Sequence, residues 1–183
     1  MQACLPSGTD LQNVEIWFQD EARVGQHGTI TRLWTEKGMR PRPVRQMQYE
    51  FSYIFGAVCP SMNKSVGMII NEVGIDAMKA HLEMISKEVE PGKIAVIVLD
   101  RASWHKSKKV NCFSNIRILP LPPASPELNP VEQLWQQLRD KFLANRSFKD
   151  LPAIVEACCL AWNTFTQIPN AIKNLCSRKW AIL

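Results

Sequence analysis

The stretch "KIAVIVLD", residues 93–100, decides the fold of this chain. Its uninterrupted apolar run is typical of a strand that is covered on both faces, as the central strands of α/β sheets are. A carboxylate, Asp100, follows the run immediately. Because ligands bind at the carboxyl ends of strands in open α/β sheets, this stretch predicts both a sheet and the edge where its site lies.

The segments on either side predict how the rest of the chain packs on this strand. Runs of β-branched and aromatic residues predict strands over 14–20, 29–34, 49–59, 65–72 and 115–121. Apolar residues at helical spacing predict helices over 76–89, 107–113, 131–144 and 151–164. The last residues carry no clear pattern. This order predicts an α/β fold in which helices flank a mixed central sheet.

Length and composition narrow the class of protein. The 183 residues suit one domain, and 46% apolar with 21% charged residues is typical of a globular chain. No apolar run approaches the roughly 20 residues that span a bilayer, and the first residues do not resemble a secretory signal. The six cysteines form no CxxC pair, which favours reduced thiols in a cytoplasmic protein over disulfides or a structural zinc site.

The charge of the chain favours a polyanionic partner. The net charge is +5 and the isoelectric point is near 9.0. Basic residues cluster in three places, and each cluster taken alone is more typical of an ordinary solvated surface than of a binding site. Nucleic-acid binding is therefore expected only if a site lies between them. The candidate contacts are Arg32, Lys37, Arg40, Arg42, Lys106, Lys108 and Arg139.

Two predicted strands end in aspartate, Asp20 after "VEIWFQ" and Asp100 after "IAVIVL". Either residue alone could be an ordinary helix cap or turn aspartate. Asp100 follows a strand that should be buried, where an unpaired charge is costly. A metal ion or a cationic partner would offset that cost.

A third carboxylate, Glu132, stands in "LPPASPELNPVEQLW", residues 121–135. Asn129 suits a helix N-cap and Pro130 the first helical position, so Glu132 completes a capping-box pattern. A capping box does not need so many prolines upstream, whereas a carboxylate that must be placed accurately benefits from a stiff approach. Both roles can coexist.

Three carboxylates at one sheet edge indicate a hard-cation site. Carboxylate oxygens select Mg²⁺ or Mn²⁺. Two such ions about 3.5–4 Å apart activate a hydroxyl nucleophile and stabilise the leaving oxygen of a phosphodiester. Spacing alone does not separate this chemistry from a phosphatase or from an acidic patch without function.

Three segments together resemble one known family. "FQDEARVG", "VLDRASWHKS" and "LPPASPELNPVEQLW" are similar, in this order, to the DDE catalytic domain of transposases of the insertion sequence 630 family, in the mariner-related superfamily. The likeness covers nearly the whole chain. It implies a ribonuclease-H-like fold with two-metal nuclease and strand-transfer activity on double-stranded DNA.

The resemblance also implies roles for individual residues. The family's triad falls on Asp20, Asp100 and Glu132, which would be both the catalytic residues and the ligands of two Mg²⁺ or Mn²⁺ ions. Residues around the motifs would support the site without binding metal, and these are Glu21, Arg23, His105, Asn129 and Trp135. The family pattern has a small or amide residue in place of Arg101 and an aromatic one in place of Ala124.

The family further implies a domain organisation and partners. We expect residues 1–13 to be a tail and residues 14–183 to be the catalytic domain, without the N-terminal helix-turn-helix region that reads element ends. A homodimer, or pairing with a separate DNA-binding piece, is expected on bacterial nucleoid DNA. Two other functions stay open: a metal-dependent nuclease that cuts without joining, and a non-catalytic module that regulates a transposase.

Overall fold

The computed structural model describes residues 4–28, 30–32, 34–40, 42, 46–102, 112–123 and 125–179. Within these ranges, five strands form one sheet: β1 (Val14–Gly25), β2 (Phe51–Cys59), β3 (Lys64–Ile70), β4 (Ile94–Leu99) and β5 (Ile116–Pro120). The same ranges contain four α-helices: α1 (Ile75–Glu88), α2 (Val131–Leu138), α3 (Leu151–Thr166) and α4 (Ala171–Cys176). None of the helices in these ranges combines the length and apolarity needed to cross a membrane.

The sheet is mixed, with strand order β3-β2-β1-β4-β5. β1 pairs antiparallel with β2 and parallel with β4, and β4 pairs parallel with β5. In the register of β1 with β4, Phe18 lies opposite Val98. Asp20 and Asp100 each come two residues later, so the two carboxylates leave neighbouring strands at the same edge of the sheet. This architecture confirms the predicted fold class.

The two faces of the sheet bury separate apolar cores because side chains alternate along each strand. Trp17, Phe55 and Ile97 pack with α1 on one face, and Phe18, Ile54 and Val98 pack with α2, α3 and α4 on the other. Each fully buried side chain of this size stabilises the fold by about 1.5–3 kcal/mol. The same alternation directs Asp20 toward α2 and its neighbour Glu21 toward α1.

Several predicted boundaries were wrong. β1 continues five residues beyond Asp20 because β2 pairs with it as far as Gly25. The strand predicted over 29–34 is absent from the described residues of that range, and Trp34 is fully exposed. A strand gains stability by burying one face, and the exposed Ile30 and Trp34 show that the described residues of this segment bury little apolar surface on the sheet.

The remaining differences concern helices. α2 is followed by a π-helical turn over Arg139–Leu143, which interrupts the helix predicted over 131–144. Of the helix predicted over 107–113, Cys112 and Phe113 are not helical, and the other residues lie outside the described ranges. The short helix α4 had no prediction, since six residues are too few to display a helical period.

Candidate active site

The ends of β1 and β4, the proline-rich loop and the start of α2 enclose a cleft of about 460 Å³. Asp20, Asp100 and Glu132 all line it. The proline-rich loop contributes further lining residues, among them Pro122, Pro123, Ser125 and Pro126. The structure therefore brings the three predicted carboxylates to one cleft, although 80 and 32 residues separate them along the chain.

Asp20 is the most buried of the three carboxylates. Its Oδ2 accepts a hydrogen bond from the indole Nε1–H of Trp135 at 2.8 Å. Burial raises the pKa of Asp20 to about 7, even though the bond from Trp135 lowers it, and the negative charges of Glu132 and Glu21 raise it further. The protein thus surrounds this carboxylate with low dielectric and other carboxylates, a setting that a bound cation would relieve.

Asp100 is the first residue after β4, and its side chain shapes the turn there. Oδ1 accepts the backbone N–H of Ala102 at 2.9 Å, which closes an Asx turn. The neighbouring Arg101 donates from Nε to the carbonyl of Leu121 at 2.8 Å. Arg101, a departure from the family pattern, therefore ties the end of β4 to the start of the proline-rich loop.

Asn129 anchors the loop to the strand that carries Asp20. Its side chain is buried, and Nδ2 donates to the carbonyl of Gln19 at 3.0 Å. Its Oδ1 accepts the N–H of Val131 at 3.2 Å, at the start of α2. One side chain thus fixes the beginning of α2 relative to the residue before Asp20.

The capping box predicted at Glu132 forms only in its first half. The Asn129 side chain accepts the N–H of Val131 and so caps the start of α2, as predicted, and Pro130 has helical dihedral angles. The N–H of Asn129, which a capping box would join to the glutamate, already donates to the carbonyl of Pro126 at 2.9 Å within the short 3-10 turn Pro126–Leu128. Glu132 is exposed and lines the cleft, so its carboxylate is available to a ligand there.

Only some of the residues predicted to support the site lie at the cleft. Trp135 and Asn129 contact β1 at the cleft, as described. Glu21 lies on the opposite face of the sheet, where it accepts a hydrogen bond from Nε2 of Gln19 at 3.1 Å. Arg23 stacks its guanidinium on the Phe51 ring, 4.8 Å from the centroid, and His105 lies outside the described residues. Glu21 and Arg23 therefore do not line the cleft.

The predicted DNA contacts are mostly surface residues. Arg32, Lys37, Arg40 and Arg42 are exposed, and the described residues around them form no helix or strand. Arg139 is exposed at the end of α2, seven residues after Glu132 and so on the same side of the helix axis. Lys106, Lys108 and the departure at Ala124 lie outside the described residues.

Two strand glycines near the cleft were missed. Gly56 lies opposite Asp20 in the register of β1 with β2, and Gly67 lies opposite Gly56 in the register of β2 with β3. A Cβ atom on Gly56 would come within 2.5 Å of Cη2 of Trp135, and one on Gly67 would clash with the Trp162 indole. A glycine inside a strand is itself a signal of close approach, and the stretches "YIFGAVC" and "SVGMII" both carry one.

The described residues include no ready-made cluster of three His, Cys, Asp or Glu side chains at ligand distances. The donor set of the cleft nevertheless fits Mg²⁺ or Mn²⁺, because all three candidate ligands are carboxylates. Asp20 is largely buried and is repelled by the charges of Glu132 and Glu21, and a divalent cation would relieve both effects.

Comparisons of sequence identify the family of this chain. The family of DDE superfamily endonucleases matches residues 15–155. An uncharacterized protein of Sinorhizobium fredii is 46% identical over 131 residues, which cover 72% of this chain and 97% of that protein. An uncharacterized 39 kDa protein of insertion element IS630 from Shigella sonnei is 25% identical over 134 residues, which cover 71% of this chain and 39% of that protein.

Comparisons of structure agree on the fold. The Mos1 strand transfer complex superposes with a TM-score of 0.63 at 14% identity, covering 88% of this chain and 51% of the Mos1 chain. The Mos1 mariner paired end complex with Mn superposes with a TM-score of 0.64 at 14% identity, covering 90% and 51%. This chain thus spans about half the length of the Mos1 chains.

The family match extends over most of the chain and includes all three cleft carboxylates. It agrees with the mixed sheet and with the fold shared with Mos1. The interpretation of the sequence as a DDE domain is confirmed by the family match. The chain belongs to the DDE superfamily endonucleases.

Proposed function

We propose that this domain cuts the phosphodiester backbone of double-stranded DNA at the ends of a mobile element and then joins the freed 3′-hydroxyl to target DNA. The observation that carries the proposal is the convergence of Asp20, Asp100 and Glu132 on one cleft at the edge of the parallel β1–β4 pair. Residues 14–183 form the catalytic domain in this proposal, and residues 1–13 are a tail.

Asp20, Asp100 and Glu132 would hold two divalent ions, Mg²⁺ or Mn²⁺. When bound, such ions supply Lewis-acid activation of the attacking oxygen and charge stabilisation of the leaving oxygen. The chain's own part is to present carboxylate oxygens from three separate elements. Asn129 and the proline-rich loop fix α2, and therefore Glu132, against β1.

The same cleft serves both steps, since hydrolysis and joining are in-line displacements at phosphorus that differ only in the attacking hydroxyl. Arg139, together with Arg32, Lys37, Arg40 and Arg42, would bind phosphates that flank the reacting one. A homodimer, or pairing with a separate DNA-binding piece, would supply recognition of the element ends on bacterial nucleoid DNA.

Nicking of supercoiled plasmid in Mn²⁺ tests the cutting step. We expect the chain to nick, Asp100→Ala to lose that activity, and Asp76→Asn to retain it. Asp76 is a matched control because it is an exposed carboxylate in the first turn of α1, away from the cleft. Equal nicking by the chain and Asp100→Ala, or no nicking by either over a range of protein and metal concentrations, would contradict the proposal.

A precleaved element end with a free 3′-hydroxyl tests the joining step. Joined product that depends on Asp100 supports transposition chemistry. Nicking without joining identifies a nuclease, and the absence of both identifies a non-catalytic module.

A further inference from the structure

We propose that Trp135 is a positioning residue for Asp20, and that position 56 requires glycine because a side chain there would keep the indole of Trp135 from reaching Asp20. The inference rests on the proposed function, in which Asp20 binds a divalent cation. It adds a specific device that decides which oxygen of Asp20 faces the cleft.

The device begins with the hydrogen bond itself. The Asp20 carboxylate would otherwise rotate broadly about its last torsion. The bond from Nε1 of Trp135 to Oδ2, at 2.8 Å, fixes that rotation and engages one oxygen. An ionised carboxylate offers about four acceptor positions. Trp135 and the backbone N–H of Glu21 occupy some of them, and the others are available to a cation.

The chemistry of the donor suits this task. An indole N–H only donates, and it carries no charge. A lysine or arginine in the same place would neutralise Asp20 and compete with the cation. Trp135 orients the carboxylate while leaving its negative charge for the ligand.

The indole is held in place by the sheet beneath it. Trp135 is buried, and its ring edge lies where a side chain at position 56 would be. Gly56 has no positive φ, so its lack of a side chain serves close approach and not backbone conformation. Trp162 lies in the same way over Gly67 and packs against Trp135, with 6.3 Å between ring centroids. Two glycines paired across β2 and β3 thus form a flat seat for two indoles.

The position of Trp135 on α2 links two carboxylates. Trp135 follows Glu132 by three residues and lies on the same side of the helix. The bond from Trp135 to Asp20 therefore also sets how close Glu132 approaches Asp20. One helix delivers the third carboxylate and orients the first.

Calorimetric titration with Mn²⁺ tests the inference on the full chain. Loss of a hydrogen bond that orients a metal ligand typically weakens metal binding about 10-fold to 100-fold, and we expect this for Trp135→Phe. Trp17→Phe is the matched control, because the Trp17 indole donates to a buried carboxylate, Glu15, on the same strand away from the cleft. It should leave Mn²⁺ affinity unchanged. Equal Mn²⁺ affinity of Trp135→Phe and the unaltered chain would overturn the inference.

Further measurements separate positioning from general packing. In the unaltered chain, the ¹⁵N–¹H signal of the Trp135 indole should shift on Mg²⁺ addition, whereas that of Trp17 should not. Gly56→Ala, which leaves Trp135 in the sequence but displaces its ring, should weaken Mn²⁺ binding similarly. If Trp135→Phe does not fold, a tryptophan analogue with sulfur in place of the N–H at position 135 keeps the ring shape and decides the question by the same titration.

The outcome for Asp20→Asn distinguishes the two proposals. If Asp20→Asn loses Mn²⁺ binding and Trp135→Phe keeps it, only the positioning inference fails. If the unaltered chain binds no Mn²⁺, or Asp20→Asn binds it equally well, the proposed function fails and the inference falls with it.

Discussion

Two carboxylates of β1, Glu15 and Asp20, each accept a hydrogen bond from a tryptophan indole, yet their surroundings are opposite. Glu15 is buried at one end of the strand and accepts from Nε1 of Trp17 at 3.0 Å, Nζ of Lys64 at 3.1 Å and the N–H of Glu90 at 3.1 Å. Its charge is matched inside the protein, so this carboxylate holds the structure together.

Asp20, five residues later, has the Trp135 indole but no ion pair among the described residues. The charges of Glu132 and Glu21 act against its ionisation. A buried carboxylate that the protein leaves unneutralised raises the free energy of the fold, and a site of this kind is retained where function needs it. Glu15, which a lysine neutralises, is therefore a structural carboxylate, whereas Asp20, which has other carboxylates around it, is a candidate metal ligand.

The largest expected effect is on activity. Asp20→Asn should lower the rate of plasmid nicking by roughly 10³-fold or more, as removal of a residue of the catalytic unit does. Without divalent cation, the same substitution should raise the melting temperature at pH 8, because it removes a buried charge near Glu132. Nicking assays and thermal unfolding measure the two effects. A fall in both activity and melting temperature would place Asp20 with Glu15 as a structural carboxylate.

The next effect is on stability alone. Glu15→Gln should lower the free energy of unfolding by roughly 3 kcal/mol, because it breaks a buried ion pair and leaves Lys64 without its buried partner. Urea denaturation measures this change. Mn²⁺ affinity of the folded protein should be unaltered, and Lys64→Met in the Glu15→Gln background should add little further loss. Weakened Mn²⁺ binding by Glu15→Gln would contradict the conclusion that Glu15 acts on stability alone.

A buried histidine outside the cleft should make the stability of the protein depend on pH without affecting the cleft. His81 of α1 is fully buried, with Nε2 3.4 Å from the Val66 carbonyl, and burial lowers the pKa of His81 to about 4. The unfolded chain binds this proton near pH 6.5, so the stabilising contribution is complete above that pH and is lost as pH falls toward 4. The loss amounts to roughly 3 kcal/mol.

Urea denaturation of the chain and of His81→Leu at pH 7.5 and pH 4.5 measures the His81 contribution. From pH 7.5 to pH 4.5, the unaltered chain should lose roughly 3 kcal/mol of unfolding free energy more than His81→Leu loses. Parallel pH profiles would contradict it. The result tests whether a buried polar group with incomplete hydrogen bonding can act on stability alone.

The smallest expected effect concerns a single surface charge. Arg139→Ala should weaken binding to a DNA duplex a few-fold and reduce the slope of log K against log salt by about 0.9. Lys79→Ala is the control, since Lys79 is exposed on α1, on the other face of the sheet. Equal salt slopes for Arg139→Ala and the unaltered chain would remove Arg139 from the DNA surface.

Much of the fold was predictable because its signals are local. The apolar run of β4 and the helical spacing of α1 and α3 appear in the sequence itself and matched the structure within a few residues. The strand predicted over 29–34, which the described residues of that range do not form, shows the limit of this approach. Whether a β-prone segment becomes a strand depends on whether the assembled sheet offers it a partner and a surface to bury.

The candidate site was predictable in its residue types but not in its contacts. Asp20, Asp100 and Glu132 stand in recognisable motifs, so the sequence indicated them. The opposite orientation of Glu21 follows from strand alternation and could have been inferred from Asp20. The seat formed by Gly56 and Gly67 required knowing that β2 pairs with both β1 and β3, because no short-range pattern joins these glycines to Trp135.

The parallel pairing of β1 with β4 has a consequence for the synthesis of the protein. Asp20 leaves the ribosome early, Asp100 follows 80 residues later, and Glu132 comes 32 residues after that. The cleft is complete only when α2 docks on a sheet whose central pair joins distant parts of the chain. A nascent chain therefore lacks the assembled carboxylate cleft until translation has passed α2, so the chemistry proposed for this cleft cannot begin for most of the time that the protein is being made.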